Sequence, residues 1–474
     1  MNFLKRILFL ALALYPLFMQ AQKDVPKPTR AQLAWHDMEF YLFMHFGPNT
    51  FTDLEWGHGN EKEEVFNPTN LDCEQWCRIA KAAGAKGIII TAKHHDGFCL
   101  WPSKFSKHTV RESKWKDGKG DVLKELSEAC KKYGLKFGVY ISPWDRNHPD
   151  YGTEKYNDVF VNMMKEIFAN YGPIWELWWD GANGEGPNGK RQVYDWNRFE
   201  RTVRELSPNT VVFSDIGPDI RWCGNEDGIA GKTNWNTLDT AGFTRGAGAP
   251  RQDTLNTGNI NGANWIPAEC DVSIRPGWFY HKTEDNKVKT PEQLFDLYLK
   301  SVGRGANLLL NVPPDGRGVI TKYDSASLVK FNELIAKNFK TNIAKKGKAK
   351  ITYDEGEEKA SKVIDGRRNT GESISNPYYN HLIIEFSKEE YINCIVIKES
   401  LLKGQNARGF RLFVMNTNKD SVQVVEGATI GNKRILTFPT TPTRKIALSI
   451  VDQKGITIIN EIEAYLIDEK LIEK

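Results

Sequence analysis

The sequence predicts an α/β protein, a (β/α)8-like barrel followed by a C-terminal antiparallel β-sandwich, and three observations carry that prediction. From about residue 30 to 342, short apolar runs alternate with amphipathic, helix-length stretches, the pattern of repeated β/α units. Beyond Lys345-Lys346-Gly347-Lys348 the composition changes. All 14 tryptophans lie between Trp35 and Trp278, whereas residues 350–470 alternate β-branched and polar residues with turn signals. At 474 residues the chain is too long for one ordinary domain and suits a large barrel with a smaller module.

The strand candidates, in order, are residues 41–45, 86–91, 136–141, 174–179, 210–214, 266–272 and 307–311, with a weak eighth near 233–238. Helices are expected between them at residues 121–133, 156–171, 194–206 and 290–302. The last opens on Thr290-Pro291-Glu292-Gln293: a cap, a proline at the first helical position and a Gln three after the cap. Nearly every strand finishes on polar or aromatic groups, as in His45-Phe46-Gly47, His94-His95-Asp96-Gly97, Ser142-Pro143-Trp144, Trp178-Trp179-Asp180-Gly181 and Ser214-Asp215. In a barrel those ends open on one face, where such folds place their chemistry.

Residues 1–21 read as a signal peptide, because Lys5 and Arg6 precede an apolar run at 7–18 that is too short to span a bilayer comfortably. No cysteine marks a lipid-attachment point, so a periplasmic or secreted protein without a membrane anchor is expected. The barrel domain is then residues 22–345 and the sandwich 346–474. A net charge of +4, with no long basic run, gives little support to nucleic-acid binding. The seven cysteines are scattered and odd in number, so they give no disulfide framework. Cys73 and Cys77, four apart on a predicted helix, read as small core residues, and a structural zinc is not expected.

An exported barrel with an aromatic face and isolated carboxylates points to carbohydrate. Indole rings stack on the apolar faces of sugars, and glycosidic cleavage typically needs two carboxyl groups, one ionised and one protonated, flanking the bond. Asp180 is the first candidate, set at the end of the Trp-rich run Trp175-Glu176-Leu177-Trp178-Trp179. For the second there are two. Glu226 lies on a loop after the fifth predicted strand, and Glu269 lies inside an apolar strand read as near the barrel mouth. Burial against indole can raise the pKa of either.

The motifs His45-Phe46-Gly47, Glu55-Trp56-Gly57, Lys93-His94-His95-Asp96-Gly97-Phe98, Trp178-Trp179-Asp180-Gly181 and Gly305-Ala306-Asn307-Leu308-Leu309-Leu310-Asn311 occur in order across the barrel. Together they resemble the α-L-fucosidases of glycoside hydrolase family 29, retaining enzymes on a (β/α)-barrel. The resemblance implies a fucosylated oligosaccharide or glycoconjugate as substrate, no cofactor and no metal. It makes Asp180 the nucleophile, and it implies that His45, Glu55, Trp56, His94, His95, Tyr140 and Trp178 grip the fucose hydroxyls or support that nucleophile. The Gly224-Asn225-Glu226 loop resembles the acid/base element of the branch restricted to α-1,3/1,4-linked fucose. That favours Glu226 over Glu269, with Arg275 and Trp278 lining the pocket near the sugar ring. Ala360 through Val363-Ile364-Asp365-Gly366, Asn369-Thr370-Gly371, Leu401 through Gly404-Gln405 and Glu461-Ile462-Glu463-Ala464-Tyr465 make residues 350–470 resemble the discoidin-like (F5/8 type C) sandwiches, but without tryptophan, notably where Tyr378 and Tyr379 stand; a structural partner packed on the barrel is expected.

Two rival readings follow from the same residues. His94, His95 and Asp96 could ligate a divalent ion in a metal-dependent hydrolase, or the barrel could bind sugar without cleaving it.

Overall fold

A computed structural model describes residues 25–375, 380–415 and 421–472. The leader at 1–21, Tyr378 and Tyr379 lie outside the described residues.

Eight parallel strands close into a barrel in sequence order: β1 (Phe40–Met44), β2 (Gly87–Lys93), β3 (Lys136–Ile141), β4 (Glu176–Trp178), β5 (Val211–Ser214), β6 (Ile220–Trp222), β7 (Ala268–Ser273) and β8 (Asn307–Asn311), with β8 pairing back to β1. They are buried on both faces, and so read as near-continuous apolar runs rather than alternating ones. The surrounding helices begin where the sequence supplies caps. Asp121 accepts from the Lys124 amide at the start of Val122–Tyr133, and Thr290 with Gln293 forms a reciprocal capping box before Pro291–Lys300. Cys73 and Cys77 are buried on the helix Cys73–Ala82, as small core residues; all seven cysteines are free.

One strand departs from the expectation. The eighth member is not at 233–238 but at Ile220–Trp222, directly after β5 with no helix between them. Its signal is masked by the buried Arg221, whose guanidinium is satisfied by the carbonyls of Leu255, Ile266 and Trp235 and the side chain of Asn234. Residues 237–238 instead pair antiparallel with Asn264–Trp265, in an excursion between β6 and β7.

The C-terminal unit is an antiparallel β-sandwich built on two long strands, β12 (His381–Glu399) and β15 (Arg434–Gln453), numbered after β9 (Lys348–Tyr353), β10 (Gly356–Lys359) and β11 (Glu372–Ile374) and flanking β13 (Ala407–Met415) and β14 (Ser421–Gly427). The first part of β12 pairs with β9, the last part with β16 (Thr457–Tyr465), and register shifts lie between. Its inner face, from Ile351 through Leu382, Phe410 and Leu448 to Ile462, forms its own core. The sandwich packs on the barrel as well. Cys394, Val396, Ile435, Tyr465 and Leu471 belong to the barrel's apolar cluster, the Ile435 amide donates to the Gly303 carbonyl at 2.8 Å, and Lys433 pairs with Glu39 at 2.6 Å.

Candidate active site

The C-terminal ends of the barrel strands surround a cavity of about 150 Å3, lined by Phe43, His45, Glu55, Trp56, His94, His95, Tyr140, Trp178, Asp180, Ala182, Glu226, Asp271 and Trp278. Engineered cavities of about this volume hold a single six-membered ring. Of the twelve residues singled out from sequence, the fold brings ten to this one place and leaves two, Glu269 and Arg275, elsewhere.

The floor is aromatic. Trp178 stacks on Phe213 at 3.9 Å between ring centroids and on Tyr140 at 5.3 Å, and Phe43 abuts both Trp178 and Tyr140. Strand alternation sends the neighbouring Trp179 the other way, into the helix layer against Trp196 and Phe199. The Trp-rich run therefore gives the pocket only one of its paired indoles.

Asp180, just past β4, is held by both oxygens. The Ala182 amide donates to Oδ1 at 2.7 Å and the Tyr140 hydroxyl to Oδ2 at 3.0 Å, with His95 Nε2 at 3.8 Å from Oδ2. Gly181 lets the turn pass close to Asp215, whose side chain lies 3.2 Å from where a Cβ would stand. The histidines are neutral donors and acceptors. Burial lowers His45 to about 3 and His95 to about 4, and pushes His94 well below the ordinary imidazole range. His45 Nδ1 is engaged by Asn311 Oδ1 at 2.9 Å and His95 Nδ1 by Ser142 Oγ at 2.8 Å, which leaves each Nε2 for a ligand.

Beneath the histidine turn lies a support that the sequence reading missed. Lys93 Nζ pairs with Asp145 Oδ2 at 3.2 Å and donates to the Trp144 carbonyl at 3.2 Å, both charged groups being fully buried. Gly97 is needed there: its φ is +87° and an added Cβ would stand 2.4 Å from Asp145 Oδ1. This ion pair ties the loop carrying Trp144 to the turn carrying His94 and His95.

The rim comes from three loops. Glu55 accepts from the Trp278 and Phe279 amides at 2.8 and 3.0 Å and from His281 Nε2 at 2.7 Å, and His281 Nδ1 reaches Asp53 at 2.6 Å. Trp56 is half exposed, edge-on to His95 and Trp144. Glu226, exposed on the loop after β6, accepts from Trp278 Nε1 at 3.2 Å.

Two expected site residues are corrected. Glu269 is not near the mouth. It is the second residue of β7, wholly buried below Trp178, accepting from Trp178 Nε1 at 2.8 Å and from the Tyr41 hydroxyl, beside Glu176. Desolvation raises both Glu176 and Glu269, so this carboxyl pair retains a proton inside the barrel. Arg275 points away from the pocket. Its guanidinium binds Asp324 at 2.8 and 2.9 Å, Asp285 at 3.1 Å and Thr321 at 3.2 Å, pinning the start of the helix Lys322–Asn338. The metal reading of His94, His95 and Asp96 also loses its geometry. Asp96 turns its Oδ1 to the Phe98 amide at 2.7 Å, and among the described residues no three His, Cys, Asp or Glu side chains are grouped to hold an ion.

Three lining residues were not singled out from sequence, Phe43, Ala182 and Asp271, and of these Asp271 is the ionisable one. The signal was available, since it lies two residues beyond Glu269 and so shares its inward face, one layer nearer the mouth.

A closed parallel barrel with an aromatic cup, neutral histidines and carboxyl groups at its C-terminal mouth defines a glycoside hydrolase site. Comparison with known proteins makes the class specific. The α-L-fucosidase family profile matches residues 34–340. Alpha-L-fucosidase 1 of Arabidopsis thaliana is 39% identical over 445 residues, covering 92% of this chain and 84% of that protein. Among solved structures, a glycoside hydrolase family 29 member from an unknown rumen bacterium is 40% identical with a TM-score of 0.83, covering 94% of this chain and 78% of that one. A Ruminococcus gnavus family 29 fucosidase in complex with fucose is 31% identical with a TM-score of 0.86, covering 96% and 99%. The chain belongs to the α-L-fucosidases of glycoside hydrolase family 29 and is a glycoside hydrolase of that activity.

Proposed function

We propose that the chain is a retaining exo-α-L-fucosidase, hydrolysing terminal α-1,3/1,4-linked fucose from glycans through a covalent fucosyl-Asp180 intermediate with Glu226 as acid/base. The single observation that supports this most is that Asp180 and Glu226, on different loops, line one small cavity, Asp180 held by Ala182 and Tyr140 and Glu226 by the Trp278 indole.

Asp180, as carboxylate, attacks the anomeric carbon while Glu226 gives its proton to the leaving oxygen. Glu226 then takes a proton from water, which hydrolyses the ester and restores Asp180. A retaining pair works at about 5–5.5 Å between carboxyl groups, a separation that closure of the Glu226 loop over substrate would set. The aromatic floor limits water around the oxocarbenium-like transition state, and Tyr140 and Ala182 fix the attacking carboxylate. Linkage preference would come from Glu226, Trp278 and Trp56, which stand where the leaving sugar departs.

Export rests on the leader at 1–21; no helix among the described residues is long and apolar enough to cross a membrane. The sandwich is read as a discoidin-like partner of the barrel, consistent with the apolar cluster the two share.

The test is fucose release from α-1,2-, α-1,3-, α-1,4- and α-1,6-linked oligosaccharides, with the anomer of the freed sugar followed by NMR. Asp180→Ala is expected to lose about four orders of magnitude in kcat with an unchanged melting temperature. Normal turnover in that variant would remove Asp180 from the reaction, and release of the inverted anomer would remove the covalent intermediate and leave the retaining reading without support.

A further inference from the structure

Asp271 has no task in the two-carboxyl mechanism, yet it lines the cavity beside Asp180, Glu226 and Trp278. It is almost wholly buried, and no group among the described residues bonds to its Oδ1. The titratable groups acting on it are Cys223 at the end of β6, Glu226 on the loop beyond and Glu269 on its own strand. Across the cavity stand His45, His94 and His95, all neutral through burial, and the lining includes no lysine or arginine. As a carboxylate, Asp271 would be an uncompensated charge in the same cup as Asp180, the group that must stay ionised. As a carboxylic acid it is neutral, and its Oδ1 has no partner among the described residues.

We propose that Asp271 is a substrate-binding residue of this enzyme that works in its acid form, donating its O–H to an oxygen of the fucose seated over Trp178. The inference rests on the placement of the sugar above Asp180 and Trp178. Burial, reinforced by Cys223, Glu226 and Glu269, holds its carboxyl well above the usual carboxylate range, in keeping with that role. A sugar oxygen is the complement such a donor needs, whereas the Glu226 carboxyl is already served by Trp278 Nε1. The amide of Asn would reproduce the donor and its neutrality; a methyl group would reproduce neither.

The experiment is equilibrium binding of L-fucose, by calorimetry from pH 5 to 9, to the wild type, Asp271→Asn and Asp271→Ala, with melting temperatures measured alongside. Asp271→Asn is expected to bind within about threefold of wild type and Asp271→Ala about tenfold more weakly. Wild-type affinity should hold from pH 5 into the neutral range, where an ordinary carboxyl would already be ionised, and any fall toward pH 9 should be absent from the Asn variant. Wild-type affinity in Asp271→Ala would overturn the contact. A loss in Asp271→Asn as large as in Asp271→Ala would overturn the acid form. Should Asp271→Ala not fold, the affinity and pH profile of Asp271→Asn still decide. Binding needs no turnover, so failure of the Asp180 or Glu226 roles would appear in rates and leave this result standing.

Discussion

The mouth and the floor of this barrel are made of the same materials and do opposite things. At the mouth, Asp180 sits against Trp178 and Tyr140 with a quarter of its side chain exposed; one layer down, Glu176 and Glu269 sit against Trp35, Tyr41 and the other edge of Trp178 with none. The upper acid has donors on both oxygens and a cavity beside it, so it is available to attack a sugar. The lower pair retains a proton, so it acts as a polar strut that fixes the Trp178 ring from below. Position along the barrel axis separates a reactive carboxyl from a structural one, and residue type does not.

The contrast breaks most sharply if the two candidate acid/base residues are exchanged in role. Glu226→Ala should lower kcat on a natural glycan about 10²–10⁴-fold, lose less on an activated aryl fucoside, and regain rate with added azide. Glu269→Ala should instead unfold more readily, by about 2–4 kcal/mol for the unpaired Tyr41 and Trp178 donors, with no azide rescue. Rescue of Glu269→Ala alone would reverse the assignment.

Arg275 stands outside the cavity that its sequence neighbour Trp278 lines. Arg275→Ala strands the buried Asp324, and is expected to cost about 3–5 kcal/mol in urea unfolding while KM for an aryl fucoside changes less than about threefold. A large KM rise with stability intact would return Arg275 to the pocket.

The smallest effect is a difference in slope with pH. Glu176 has a raised pKa in the folded state, so its contribution is fully present below the unfolded value and is lost as pH rises toward the folded one. Glu176→Gln cannot ionise, so its stability relative to wild type should improve between pH 5 and pH 8, by about 1 kcal/mol or more. His45 works oppositely. Its folded pKa, lowered to about 3, makes its contribution present above 6.5 and lost as pH falls toward 3, so His45→Asn should gain on wild type between pH 6.5 and pH 4. Urea titrations at three pH values check both signs, and parallel curves would refute the buried protonation states.

Much of this was legible in the sequence because it is local. Seven of the eight barrel strands are apolar runs of the right length, the cap at Thr290 is a four-residue motif, and the polar strand ends mark the mouth. What was hidden depends on contacts far apart in the chain. The strand Ile220–Trp222 is short and carries an arginine whose partners lie 13 to 45 residues away. The Lys93–Asp145 support joins the end of β2 to the loop after β3, and the depth of Glu269 follows only from knowing where β7 begins. The family resemblance placed Arg275 in the pocket together with Trp278, but its acidic partners come from residues 285 and 324.

The junction between barrel and sandwich bears on how this chain can be cut or recombined. Lys433 reaches back to Glu39, the residue immediately before β1, while the Ile435 amide ties to Gly303 just ahead of β8. The appended module thus grips the seam where the first and last staves of the cylinder meet. Trimming it away would loosen the closure of the cylinder itself, so a barrel cut free at residue 345 is expected to unfold more readily than the whole chain.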